Sequence, residues 1–437
     1  MTDDVDPRRG SVVGLSAGRY LAAALGLATG PLMARALGPA GRGELASVTV
    51  YAAVATTLAS LGVPVAMGHA VAKQLHPRPA ILAASVRFCA LLVLPALVAG
   101  FIVVNWPLAE LSGPARAGAF VALALVPVAV LSSCLMFFLL GEGALRSVNH
   151  LQVTPTVMVA VATVALYAAG RLTTTTAIAA MIPVGFVGAV IGWRAVGLRP
   201  AGRIPIRPIL SFGLRGFAGN VATFASITID QAVIGPVLGT RQLGFYAVAA
   251  SIASLPYMVG VAIGSRAFAE VAAAERQGEA AWRFMRYTLI VTLFMAVTVA
   301  VLSPVILPLL YGHAFRPSLA PLLLLLPGSV ALSLSATASA CLNAKGWPGR
   351  STLAELAGFV TTVIGLTLVV ARFGIVGAAV LSTAAYGVSA GAYLIFLHRF
   401  GRIALRPTRE DFAFLRGGVR YRLALIRTGF RKMVSRP

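Results

Sequence analysis

From Ile81 to Val104 the chain reads ILAASVRFCALLVLPALVAGFIVV, a run in which Arg87 is the single charge. A helix rises about 1.5 Å per residue, so roughly 20 mostly apolar residues cross the hydrocarbon of a bilayer. A single open segment can do so only as a helix, because every backbone N–H and C=O must be satisfied from within. The same kind of run recurs along the sequence. It places spans at 12–33, 44–67, 81–104, 116–140, 152–170 and 174–196, then at 209–236, 244–266, 286–310, 318–342, 352–371 and 374–397. Gly170-Arg171 and Arg372-Phe373-Gly374 mark the two shortest turns.

Composition carries the same message. Hydrophobic residues make up 58% of the 437 and charged residues 11%, with a mean hydropathy of +0.88. Soluble chains carry about 25% charged residues, and one of this length would divide into about two or three domains, each needing a polar surface. There is too little polar side chain here to cover one. The expected fold is therefore all-α and integral to a membrane, with about twelve transmembrane helices.

Lys and Arg total 36 against 13 Asp and Glu, a formal charge of +23. A nucleic-acid reader gathers such charge on one polar face. Here the charges stand a few at a time between apolar runs and accumulate at the C-terminus, which excludes nucleic acid as the partner. Counted by alternate connections, the side of the N-terminus carries 27 basic residues and the opposite side 7. The positive-inside rule then puts both termini in the cytoplasm, in a cytoplasmic (plasma) membrane. The first apolar run has no cleavage site after a short core and reads as a retained helix. Cys89, Cys134 and Cys341 lie inside apolar runs without metal-ligand spacing.

An internal repeat runs at an offset near 200. Leu37, Gly38, Gly43 and Ala46 match Leu238, Gly239, Gly244 and Ala247. Pro107-Leu108 matches Pro308-Leu309, Pro127 matches Pro327, and Arg171 matches Arg372. Each repeat holds six spans and begins on the cytoplasmic side, so the two are related by an axis along the membrane normal, with the substrate path between them. The expected organisation is a cytoplasmic N-terminus (1–11), a six-helix lobe (12–197), a cytoplasmic linker (198–208), a second six-helix lobe (209–398) and a basic tail (399–437).

The segment Arg35-Ala-Leu-Gly-Pro-Ala-Gly-Arg-Gly-Glu-Leu45 resembles the first outer loop of the polysaccharide-repeat-unit flippases, a family of the multidrug/oligosaccharidyl-lipid/polysaccharide exporter superfamily. The stretch from Asp230 to Ala247 resembles the seventh helix and following loop of the same family, and Leu310–Phe315 and Phe373–Ala379 resemble two further landmarks in the expected order. The resemblance covers about residues 10–398. It implies a two-lobed, alternating-access flippase of undecaprenyl-diphosphate-linked oligosaccharides, serving capsule, exopolysaccharide or O-antigen synthesis. Its implied partners are the lipid-linked oligosaccharide and a polysaccharide polymerase.

No HExxH, Walker-type phosphate loop or GxSxG is present, so neither an enzyme activity nor a cofactor is expected. A membrane polymerase or glycosyltransferase of sugar-lipids would need acidic or His residues beneath large outer loops, and these outer connections are short. The nearer alternative is a cation-coupled multidrug exporter of the same superfamily, which would favour acidic and aromatic cavity residues over arginines.

Arg19, Arg215 and Asp230 stand out as ionisable residues within spans. A charge at mid-bilayer costs about 2.5–3.5 kcal/mol on insertion scales, which points to a cavity or a partner. Arg19 and Arg215 sit about two turns from the cytoplasmic end. One reading has them snorkel to that interface; the other has them line an inward-open cavity and bind the diphosphate, which suits the guanidinium fork. Asp230 can pair with an arginine, bind a coupling ion or cap the end of its helix. Among the span prolines, Pro127 and Pro327 are the hinge candidates, because the repeat duplicates them; ordinary tolerance of proline in membrane helices is the other reading. In the tail, Val419, Leu423, Ile426 and Phe430 form one stripe flanked by arginines. This is the pattern of an interfacial helix on anionic lipid headgroups, and a disordered basic tail is the alternative.

Overall fold

The computed structural model describes residues 12–399. Among these the chain is helical throughout, without a strand: α1 (Val12–Ser60), α2 (Val63–Ala72), α3 (Arg78–Leu91), α4 (Val93–Asn105), α5 (Gly113–Ala124), α6 (Val126–Gly141), α7 (Leu145–Ala168), α8 (Thr174–Met181), α9 (Pro183–Val196), α10 (Ile206–Leu238), α11 (Thr240–Ala273), α12 (Gln277–Tyr311), a 3-10 turn at His313–Ser318, α13 (Leu319–Ala344) and α14 (Pro348–His398). The basic tail lies outside the described residues. So do the side chains of Arg19 and Arg215, whose backbones belong to α1 and α10.

Breaks in these helices have local causes. Gly38, with φ 66° and ψ 179°, divides α1 into two segments, and Gly374, with φ 62° and ψ −151°, divides α14. An L-residue rarely adopts that backbone, and glycine does so freely. Between α1 and α2 the chain bends by 51°, at Leu61 and Gly62 with φ of 46° and 72°. Between α5 and α6 it bends by 45°, and Pro127 sits in the first turn of α6, where a missing N–H costs least. Pro327, its repeat mate, lies inside the continuous helix α13. The two hinge candidates are thus in different local settings.

Among the described residues eight helices are long and apolar enough to cross a membrane, and ten when each bent pair counts as one span. The stretches at 12–33 and 352–371, where the sequence places two more passes, are helical, in the segment of α1 before Gly38 and the segment of α14 before Gly374. Several hydroxyls inside the passes are satisfied within their own helix: Thr49 donates to the carbonyl of Leu45, Thr56 to that of Ala52, and Ser85 to that of Ile81. Outward, Leu94, Phe294 and Leu368 are 70%, 74% and 70% exposed, as lipid-facing residues should be.

The chain divides into two compact units. One contains the described part of Met1–Ile252 with Ser303–Leu324 and Phe359–Ser382. Two apolar clusters hold it. Met67, Ile81, Leu135 and Phe138 pack in the first; Leu45, Leu108, Ala119 and Ile178 pack in the second. The other unit contains Ala253–Leu302, Leu325–Gly358 and the described residues from Thr383 onward. Met285, Ala338, Leu342, Tyr393 and Leu397 form its core.

Candidate transport site

Within the first unit the two repeats meet where the second segment of α1 and the start of α11 cross. Gly38 and Gly239 precede these segments, and both have positive φ with extended ψ (179° and 164°). One turn on, a Cβ on Gly43 would overlap the carbonyl of Thr240 and lie 3.0 Å from the amide nitrogen of Gly244. A Cβ on Gly244 would overlap the carbonyl of Pro39 and lie 3.1 Å from the nitrogen of Gly43. Pro39 and Thr240, like Gly43 and Gly244, are mates at the same offset in the sequence repeat. Each segment therefore touches the other through equivalent atoms, the reciprocity that a two-fold axis produces. Close backbone approach of this kind needs small residues. Nearby, Arg35 donates to the carbonyl of Leu309, and the Tyr51 hydroxyl to that of Ala232 at 2.9 Å.

A second close approach lies at the break between α1 and α2. A Cβ on Gly62 would overlap the backbone of Gly213 on α10, and one on Gly213 would lie 2.8 Å from the carbonyl of Gly62. Beside it, His69 stacks on Phe212 with ring centroids 4.4 Å apart. Arg215 is two residues further along α10, so this contact fixes the backbone from which it projects.

Asp230 lies inside α10 and is 2% exposed. Its Oδ1 accepts from the amide of Gln231 at 2.7 Å. Its Oδ2 accepts from the Tyr246 hydroxyl at 2.5 Å and from Ser382 Oγ at 3.1 Å. Both hydroxyl residues are fully buried, and their oxygens lie 3.3 Å apart. The carboxylate's partners are thus a backbone amide and two hydroxyls, drawn from α10, α11 and α14. Hydrogen bonds to an ionised acceptor are the stronger kind.

The second unit holds a buried carboxylate that sequence reasoning passed over. Glu355 is 8% exposed, and its Oε1 accepts from the Tyr393 hydroxyl at 2.9 Å. The one signal in the sequence was its position, four residues into the span expected at 352–371.

A cavity of about 460 Å³ opens in the first unit between α1, α5, α6, α8 and α9, lined by residues such as Ala52, Leu125, Ile178 and Met181. Of the three threonines on its wall, Thr49 and Thr56 give their hydroxyl protons to carbonyls of their own helix, and Thr57 is the third. Its chemistry suits hydrocarbon rather than sugar. Among the described residues no group of three or more His, Cys, Asp or Glu is placed to hold a metal ion.

The family model described as "Polysaccharide biosynthesis protein" matches residues 32–320. No curated protein sequence matches the chain. Its fold is similar to that of the lipid II flippase MurJ in an inward closed conformation, with a TM-score of 0.75 at 12% identity, covering 92% of this chain and 89% of that one. It is also similar to an inward-facing MATE-family multidrug resistance transporter of the MOP superfamily (TM-score 0.62, 16% identity, 90% and 95% covered). A third likeness is to a MOP superfamily transporter from Pyrococcus furiosus described as having a binding pocket of reversed polarity (TM-score 0.61, 16% identity, 93% and 100% covered).

Proposed function

We propose that this chain, which belongs to the polysaccharide biosynthesis protein family, flips a lipid-linked oligosaccharide from the cytoplasmic to the outer leaflet. The physical need is plain, because a sugar-diphosphate head cannot cross about 30 Å of hydrocarbon unaided. The observation that carries the reading is the reciprocal crossing of Gly43 and Gly244. Two helix starts related by the repeat seal against each other, and such a seal is what an alternating-access transporter opens and closes. By the charge count this seal is at the outer face, with both termini in the cytoplasm.

Arg19 and Arg215 are the proposed diphosphate ligands. By residue count they lie at similar depth in the first and seventh passes, and Arg215 follows two residues after Gly213, which meets Gly62. A guanidinium pair repels itself, and a bound diphosphate offsets that repulsion. Asp230 with the oxygens of Tyr246 and Ser382 offers hard ligands to a coupling ion, and of the three readings open to it this is the one proposed. Pro127 and Pro327 remain the hinge candidates. The basic tail binds anionic headgroups, and a polysaccharide polymerase takes the delivered unit.

Complementation of a flippase-deficient strain, with membrane abundance checked by immunoblot, tests the arginine pair. Arg19→Ala and Arg215→Ala should each abolish or sharply reduce sugar export at normal abundance. Lysine should restore it in part, keeping charge but losing the fork. Full export by the double alanine variant would remove both residues from the site. Resistance to cationic drugs with no gain of surface polysaccharide would instead mark a multidrug exporter.

A further inference from the structure

Glu355 is not used by the reading above, and its surroundings are unlike those of a carboxylate kept only for packing. The Tyr393 hydroxyl that donates to it lies 2.9 Å from Ser351 Oγ. Ser351 Oγ lies 2.7 Å from Ser339 Oγ, which accepts from the amide of Asn343 at 3.5 Å. Glu355, Tyr393 and Ser351 are buried, Ser339 is half-buried and Asn343 is exposed. The chain of groups thus leads from the surface of the second unit to a buried acid. It draws on α13, on the first segment of α14 and on the segment after Gly374.

From this geometry we propose that Glu355 is a proton-loading site, served by the hydroxyls of Ser339, Ser351 and Tyr393. Between the two serines, and between Ser351 and Tyr393, either oxygen can be the donor. A relay needs that freedom, because each oxygen must first give and then receive. The far end is the Glu355 carboxyl, which in its ionised form only accepts. In the loading step hydronium gives a proton to Ser339 Oγ, whose own proton passes to Ser351 Oγ. The Ser351 proton passes to Tyr393, and the Tyr393 proton to Glu355 Oε1. One O–H bond breaks and one forms at each hydroxyl. The net result is water and a neutral carboxylic acid, with the relay's donor direction reversed.

Among the titratable groups facing Glu355 are Tyr393 from α14, which donates to it, and Tyr257 from α11, while α13 contributes the uncharged Ser339 and Asn343 to the chain of groups. Tyrosine hydroxyls are neutral near neutral pH, so neither tyrosine competes with the carboxyl for the proton that is loaded. Such a site supplies what flipping alone does not, a route by which a proton gradient can act on the second unit.

Infrared difference spectroscopy on the full-length protein in lipid nanodiscs reads the carboxyl directly. After a downward pH jump, wild type should develop a protonated-carboxyl stretch that is missing from Glu355→Gln and kept by Asp230→Asn. Ser351→Ala and Tyr393→Phe should form the same band severalfold more slowly, because each removes one link and leaves the acid. If Glu355→Gln cannot be purified, the wild-type band and its slowing in Ser351→Ala carry the test. The proposal is overturned if wild type shows no such band, if the band survives in Glu355→Gln, or if Ser351→Ala forms it at the wild-type rate.

Discussion

Asp230 and Glu355 are the two buried carboxylates among the described residues, and they differ in where their hydrogen bonds lead. Asp230 accepts from two fully buried hydroxyls and an adjacent amide, so three donors converge on one group. Glu355 stands at the end of a line that begins at the exposed Asn343. The cost of burying a charge is met in both cases, by different means. Convergent oxygens suit holding a charge or an ion in place. A string of hydroxyls suits passing a proton. A buried acid in a membrane helix is thus better classified by the reach of its network than by its exposure.

A substitution that touches neither acid sets the upper end of the scale. Gly43→Ala puts a Cβ into the Thr240 carbonyl, and Gly244→Ala puts one into the Pro39 carbonyl. Each should cost about 1–3 kcal/mol of stability in the closed state and abolish export. The two should be equal within error in thermal unfolding, because the contact is reciprocal. Unequal losses would break the equivalence of the repeats.

Asp230→Asn comes next. It removes the charge on which the hydroxyls converge, and export should fall to background at every pH in the complementation assay. Glu355→Gln should lower export and flatten its response to external pH. If both variants respond to pH alike, the distinction between holding and passing collapses.

Single hydroxyls, whose loss is read in stability rather than in export, sharpen the same contrast. Tyr246→Phe deletes a bond to a charged acceptor and should cost about 1.5–3 kcal/mol in the unfolding of purified protein. Ser351→Ala deletes links between neutral hydroxyls, each worth about 0.5–1.5 kcal/mol. Its larger signature should be kinetic, in the infrared band. A stability loss from Ser351→Ala that matches Tyr246→Phe, with no kinetic change, would make the Glu355 network structural.

Much of the architecture was legible because length and polarity dictate it. The apolar runs and the turns at Gly170 and Gly374 follow from spacing and glycine, whereas the flippase-like fold was legible only through the resemblance of short motifs to a known family. The match of Gly43 with Gly244 reappears as physical contact. The partners of Asp230 were not legible, since Tyr246 and Ser382 are 16 and 152 residues away in sequence. Nothing local couples such positions; helix packing does. Glu355 was missed because a carboxylate four residues into an expected span reads as a loop edge, and only the fold shows it buried. The prolines show how far a repeat can be trusted. It aligns Pro127 with Pro327, yet one stands at a 45° bend and the other inside an unbroken helix. Whether a proline breaks a helix depends on what neighbouring helices supply to its freed carbonyl.

The central claim is that the chain moves a diphosphate-linked sugar between leaflets. It is tested most directly by purified protein in proteoliposomes loaded with a short-chain polyprenyl-diphosphate disaccharide bearing a fluorophore. An impermeant quencher then reads how much has changed leaflet. The account predicts protein-dependent translocation of this lipid, slowed in Arg19→Ala and Arg215→Ala, and none of an analogue lacking the diphosphate. Translocation no faster than in protein-free vesicles, or equal transport of both lipids, would contradict it.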